Sequence, residues 1–151
     1  MSENWTYLIP DDPHFIPETS KQEAARRKFC EIARGAKEIE LSVNEHVKFQ
    51  DCGANFERIR CPGCCAEIPM SWWLACMKED FDGQGFRIAV YATPCCASNT
   101  SLHNLAYEWP QGMYRFALGS MNGSFGRLDD GHRQEIEEIL GCKLRVIYQH
   151  V

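Results

Sequence analysis

The sequence has no run of apolar residues approaching the eighteen or so that a membrane span requires. It does not open as a secretory signal either, because Met1-Ser2-Glu3-Asn4-Trp5 carries no basic stretch followed by an apolar one. The expected setting is the cytoplasm, with no membrane contact. Positive charge is not in excess: sixteen Lys+Arg against twenty-one Asp+Glu leave a net −5. That balance argues against non-specific binding to nucleic acid. None of the five histidines (His14, His46, His103, His132, His150) forms H-x-x-x-H or H-E-x-x-H, so a hydrolytic zinc site has no support. G-x-S-x-G, G-x-x-x-x-G-K-[ST] and G-x-G-x-x-G are missing as well, which removes the usual marks of a nucleophilic serine and of phosphate cradles.

What is present is an ordinary globular composition, 44% hydrophobic and 25% charged, which excludes wholesale disorder. At 151 residues the chain reads as one domain, 1–151. Its excess is nine cysteines. Where thiols are kept reduced, clustered cysteines mean metal or catalysis before they mean disulfides, and an odd number cannot all pair within one chain. Cys30, Cys76 and Cys142 stand singly in or beside apolar segments and read as small buried hydrophobes. The other six fall between Cys52 and Cys96.

Two flanks of similar pattern enclose that middle. In the first, 5–44, Trp5 to Ile9 alternates as a strand. Ser20 and Glu23 form an S-x-x-E capping box before a helix to about Arg34, with Ala25, Phe29, Ile32 and Ala33 on one face. Ile39, Leu41 and Val43 then alternate as a second strand. In the last flank, 113–151, Tyr114, Phe116 and Leu118 mark a strand, followed by a glycine-rich turn over 122–126. Asp129 or Asp130 caps a helix lined by Ile136, Ile139 and Leu140 and ended by Gly141. Leu144, Val146 and Tyr148 close the chain. Two β-α-β units most simply give an α+β, ferredoxin-like sheet with both helices on one face, a mixed sheet of another strand order being the competitor.

The middle, 45–112, is predicted as an insertion sharing the core. Val47 to Phe49 and Phe56 to Arg60 read as a hairpin. Pro69 to Phe81 reads as an amphipathic helix with Met70, Trp73, Leu74, Met77 and Phe81 on its inner face. Phe86, Ile88 and Val90 read as a strand, and 99–107 as a short helix.

Cys61-Pro62-Gly63-Cys64 follows one predicted strand, and Cys95-Cys96 ends another. Thiolates two residues apart in a tight turn can reach one ion at about 2.3 Å, and a second pair completes a tetrahedral structural site. Pro62 restricts one backbone angle, and Gly63 permits a positive one. Over Ile59 to Ser98 the motif resembles the C-P-x-C knuckle of the zinc-ribbon family. The resemblance implies that Cys61 and Cys64 are ligands, with Zn2+ as the structural cofactor. The sequence departs from that family at Cys65, where ribbons carry glycine, and at the adjacent pair Cys95-Cys96. Cys65, Cys52 or His103 are therefore substitute ligands for one of that pair. An iron–sulfur cluster, a redox dithiol and simple packed thiols are the competing readings. The redox reading is weakened by distance, since its helix starts about five residues beyond the motif, at Pro69. The strings Thr93 to Cys96, Leu102 to Leu105 and Tyr107 to Gly112 also resemble segments of small stand-alone bacterial proteins, a likeness that implies a bacterial source and no activity.

Adjacent Trp72 and Trp73 cannot both face the core from one helix, so Trp72 belongs to a seam or to a partner contact. Lys21, Arg26, Arg27, Lys28, Arg34 and Lys37 make the first helix basic, read as a solvated face interleaved with Glu23 and Glu31. Glu135, Glu137 and Glu138 form an acidic cluster suited to a partner. The leading functional expectation is a non-enzymatic protein-binding module, with an inhibitor or immunity-type protein as one concrete form. A nucleic-acid-associated zinc ribbon and a thiol or metal enzyme are the alternatives.

Overall fold

The computed structural model describes residues 3–123 and 125–151. Met1 and Ser2 of the opening stretch, and Ser124 of the turn expected over 122–126, lie outside the described residues. In chain order the elements are β1 (Asn4–Pro10), α1 (Thr19–Ile32), β2 (Glu38–Gln50), β3 (Ile59–Arg60), α2 (Met70–Asp80), β4 (Tyr91–Ala92) and β5 (Asn99–Thr100). A 3-10 turn (Leu102–Asn104), β6 (Ala106–Tyr107), β7 (Gly112–Met121), α3 (Asp130–Leu140) and β8 (Leu144–His150) follow.

The main sheet runs β2-β7-β1-β8, antiparallel at every pairing. Each β-α-β unit is thus split, with a strand of the other unit between its two strands, and this is the ferredoxin-like order the flanks predicted. The register brings Leu118 of β7 opposite both Leu8 of β1 and Leu41 of β2. Those side chains meet Ala25 and Phe29 of α1 and Ile136 and Leu140 of α3 in one core, which also holds Phe116, Leu128 and Leu144. α3 is capped by Asp129, whose carboxylate accepts from the Gly131 amide, and ends at Gly141 in the left-handed conformation, φ 78°. The capping box expected at Ser20 does not form. α1 starts two residues earlier than that cap implies, with Glu18 as its N-cap and no side-chain cap. Gln22 instead turns inward and donates to the Pro17 carbonyl.

The insertion departs further from expectation. Val47 to Phe49 does not turn back as a hairpin, because β2 continues to Gln50 alongside β7 across an irregularity between Val43 and Lys48. Staying in the main sheet lets Val47 and Phe49 pack against Trp73, Phe86 and Tyr107 in a second core. β3 pairs with β6 instead, and the helix expected over 99–107 is replaced by β5, the 3-10 turn and β6.

The inner face of α2 is rotated relative to the apolar stripe. Trp73, Cys76 and Asp80 are buried, while Met70, Leu74 and Phe81 are exposed. Two polar contacts outrank the stripe. The Trp73 indole donates to the Tyr107 hydroxyl at 3.0 Å, and the Asp80 carboxylate collects the Ile88 and Ala89 amides and the Tyr91 hydroxyl, each at 2.9 Å. A buried carboxylate needs such donors. The predicted strand over 86–90 is accordingly a loop wrapped around Asp80, with Ile88 at φ 56°.

His103 ties the insertion to the sheet. It is buried, its Nε2 donates to the Asp11 carbonyl at 2.7 Å, and its Nδ1 accepts the Met113 amide at 2.8 Å. Burial, with the Arg145 guanidinium behind it, lowers its pKa to about 4 against the attraction of Asp11 and Asp12. The unfolded chain therefore takes up this proton first. The contribution is complete above pH ~6.5 and is lost as pH falls towards 4, roughly 3 kcal/mol in all. The unfolding free energy of His103→Gln should thus fall less steeply than wild type between pH 6.5 and 4. Parallel curves would refute the assignment.

Candidate metal centre

The four cysteines come from two turns with one backbone plan. In the first, the Cys65 amide donates to the Cys61 carbonyl at 2.9 Å and the Cys61 amide to the Ala66 carbonyl at 2.8 Å. In the second, the Ala97 amide donates to the Thr93 carbonyl at 3.0 Å and the Thr93 amide to the Ser98 carbonyl at 2.9 Å. Cys65 and Ala97 both take the left-handed conformation, at φ 66° and 58°. The flanking pairings, Arg60 with Glu67 and Ala92 with Asn99, also correspond. The two turns are therefore repeats offset by 32 residues: Cys61-Pro62-Gly63-Cys64-Cys65 answers Thr93-Pro94-Cys95-Cys96-Ala97. The signal for this repeat was visible as x-P-x-C in both turns.

The pairing of the turns brings Cys61, Cys64, Cys95 and Cys96 together, with all four sulfurs within 4.8 Å of one another. Cys61 and Cys96 sulfurs lie 3.6 Å apart, and Cys64 and Cys95 sulfurs 3.5 Å. Four sulfurs about 2.3 Å from one ion stand roughly 3.8 Å apart at the corners of a tetrahedron, so the set is positioned to hold a single metal ion. Cys61 is buried and the other three are exposed. The left-handed residue of the first turn is Cys65, not Gly63 as expected. Glycine is required at 63 for close approach, because a Cβ there would lie 2.2 Å from the Ser98 hydroxyl oxygen.

Hydrogen bonds prepare the sulfurs for charge. The Thr93 hydroxyl, foremost, and the Cys64 and Gly63 amides draw the Cys61 thiol down to about 6, against its burial. The Ser98 hydroxyl, then Thr93, lower Cys96. At Cys64 the Ala66 amide favours the thiolate, but the Cys95 sulfur, burial and the Cys96 and Cys61 sulfurs outweigh it, to about 12. Four crowded thiols cannot all ionise beside one another without a cation, and a bound ion supplies that charge.

The substitute ligands stand apart from this set. Cys65 is exposed, Cys52 is buried in a third core with Ile9, Ala117 and Ile147, and both ring nitrogens of His103 are engaged. Among the cysteines expected in the core, Cys76 is buried and Cys142 half-buried, but Cys30 is exposed on the outer side of α1. Helical phase places Cys30 beside Phe29 in sequence and away from the core in space.

The acidic cluster is divided. Glu137 is buried, accepting the Leu144 amide at 2.8 Å and Arg133 at 2.9 Å, while Glu135, paired with Lys28 at 2.8 Å, and Glu138 are exposed. Trp72 is half-buried against the second core. On the basic helix, Arg26 and Lys28 are paired with Glu23 and Glu31. No helix among the described residues is long and apolar enough to cross a membrane. No protein-family model, curated protein or solved structure matches the chain.

Proposed function

We propose that the four cysteines hold one zinc ion as a closed structural centre, and that the chain works as a protein-binding module rather than by chemistry at the metal. The observation that carries the metal reading is the approach of four sulfurs within 4.8 Å where two knuckle turns meet. Four protein thiolates fill a tetrahedral shell and leave no open position for substrate. Thiolates bound to different irons of a cluster need a wider spread than one ion does, which favours a mononuclear centre. Partner binding is supported by the rotation of α2. With Trp73, Cys76 and Asp80 turned inward, Met70 (41% exposed), Leu74 (55%) and Phe81 (44%) line its outer side. A row of apolar side chains on a −5 chain suits a protein partner that covers them with its own apolar surface.

The test is one preparation with two readouts. Elemental analysis of freshly reduced protein should find about one zinc per chain. The zinc-loaded chain should retain a protein from its native host extract, and Leu74→Glu should abolish retention while leaving zinc content and secondary structure unchanged. Iron, or no metal, overturns the zinc centre. Retention unaffected by Leu74→Glu, or retention of nucleic acid alone, overturns the partner reading.

A further inference from the structure

The repeat of the two turns exposes a substitution that the four-cysteine set conceals. Position 93 is the counterpart of Cys61, the buried first ligand of the first turn, yet it carries threonine. Thr93 is also buried, 3% exposed, and its hydroxyl lies 3.5 Å from the Cys61 sulfur and 3.6 Å from the Cys96 sulfur. The fourth sulfur comes instead from Cys95, which answers Gly63, a position that provides no ligand in the first turn. Cys95 is exposed. The Gly63 amide donates to the Cys61 sulfur at 3.3 Å, the Cys61 thiol donates to the Thr93 hydroxyl oxygen, and the Thr93 and Ser98 hydroxyls stand 3.6 and 2.9 Å from the Cys96 sulfur. Among the described residues, the Cys64 and Cys95 sulfurs are hydrogen-bonded to each other at 3.5 Å.

We infer that Thr93 is the positioning residue of the metal centre. It stands in the vacated first-ligand position of the second turn, holds Cys61 and Cys96 through its hydroxyl, and leaves exposed Cys95 as an exchangeable fourth arm whose place an external thiol can take. This inference rests on the metal reading above. Its physical basis is that hydrogen bonds to a ligand fix its orientation and spread its charge. Cys61, Cys64 and Cys96 occupy the ligand positions that the two turns share, with Cys61 and Cys96 tied through Thr93, whereas Cys95 projects from a position that carries no ligand in the first turn. Exchange at that arm is a balanced ligand substitution: the Cys95 sulfur leaves as thiolate and takes a proton, and an incoming thiol gives up its proton and binds.

Cobalt(II) serves as the probe, because its absorption bands report the number of sulfur ligands. Wild type should bind one cobalt with a four-sulfur spectrum. Thr93→Val should bind about 10–100-fold more weakly, with a shifted sulfur-to-cobalt charge-transfer band, and Thr93→Ser should restore both. Cys95→Ala should keep its cobalt on three sulfurs and regain the four-sulfur spectrum when 2-mercaptoethanol is added, whereas Cys96→Ala should not. Thr93→Cys combined with Cys95→Ala should give four-sulfur cobalt without added thiol, by rebuilding C-x-x-C in the second turn. Wild type that takes up no cobalt overturns the metal reading and this inference with it. Wild type that binds while Thr93→Val binds as tightly, or Cys95→Ala that loses cobalt as completely as Cys96→Ala, overturns this inference alone.

Discussion

Stripping the metal from the loaded protein with a strong chelator is expected to unfasten the middle of the chain and leave the sheet standing. The first core is built from residues of β1, α1, β7, α3, β8 and the segment before α3, with Leu41 of β2 packed against it, and it takes nothing from 45–112. The second core, with Ile59, Cys61, Ile68, Trp73 and Leu102, reaches the first knuckle at Cys61, and its local strands β3 to β6 are only two residues each. Such short pairings hold little by themselves. Structural zinc supplies on the order of 10 kcal/mol to small zinc modules. Its loss here should cost on the order of 5 kcal/mol or more, about 10–20 °C in Tm for a chain of this length. Cys61→Ser should reproduce the effect in the presence of metal, because its hydroxyl is a poor substitute for a buried thiolate ligand. Hydrogen exchange measured with and without chelator is the direct check: protection should fall over 59–107 and persist in β1, β7, α1 and α3. Unchanged Tm and unchanged protection would mean that no metal is structurally engaged.

Asp80→Ala is expected to be the most damaging single change outside the cysteines. The carboxylate is fully buried and satisfies the Ile88 amide, the Ala89 amide and the Tyr91 hydroxyl. Truncation leaves these donors without their acceptor, at about 1–3 kcal/mol for each one that stays buried, so a total loss of roughly 3–5 kcal/mol follows. The loop it organises leads directly into β4 and the second knuckle, so metal affinity should fall along with stability. Asp80→Asn, which keeps one acceptor oxygen, should lose less on both counts. Denaturant unfolding together with chelator competition measures the pair of effects. A loss below ~1 kcal/mol with unchanged metal affinity would show that the loop holds itself.

Legibility in the sequence followed the range of the interactions involved. The helices and strands of both flanks, the inner faces of α1 and α3, the Asp129 cap and the Gly141 stop depend on residues within one or two turns, and their periodicity is plain. The α2 stripe misled because periodicity counts apolar side chains and does not weigh a buried carboxylate against them. Asp80 has three donors waiting on a loop eight to eleven residues away, and that contact sets the phase of the helix. The hairpin expected around Asp51 failed for a related reason. Extending β2 along β7 gives Phe49 a register partner in Met113 and a place among Trp73, Phe86 and Tyr107. Glu137 looked like surface charge until the Leu144 amide and Arg133 claimed it.

The missing catalytic motifs, the missing membrane span and the surplus of cysteines belong to the sequence alone, as do two β-α-β flanks and the candidate sulfurs Cys61, Cys64, Cys95 and Cys96. Tertiary structure decided which sulfurs meet. Adjacent Cys95 and Cys96 both join the cluster from a turn that left-handed Ala97 closes, and the turn is paired so closely against Gly63 that a methyl group would not fit between them. It also set Thr93, the counterpart of Cys61, beside the Cys61 and Cys96 sulfurs. Local sequence specifies how each turn bends, but only the contact between turns 32 residues apart determines which side chains share a point in space.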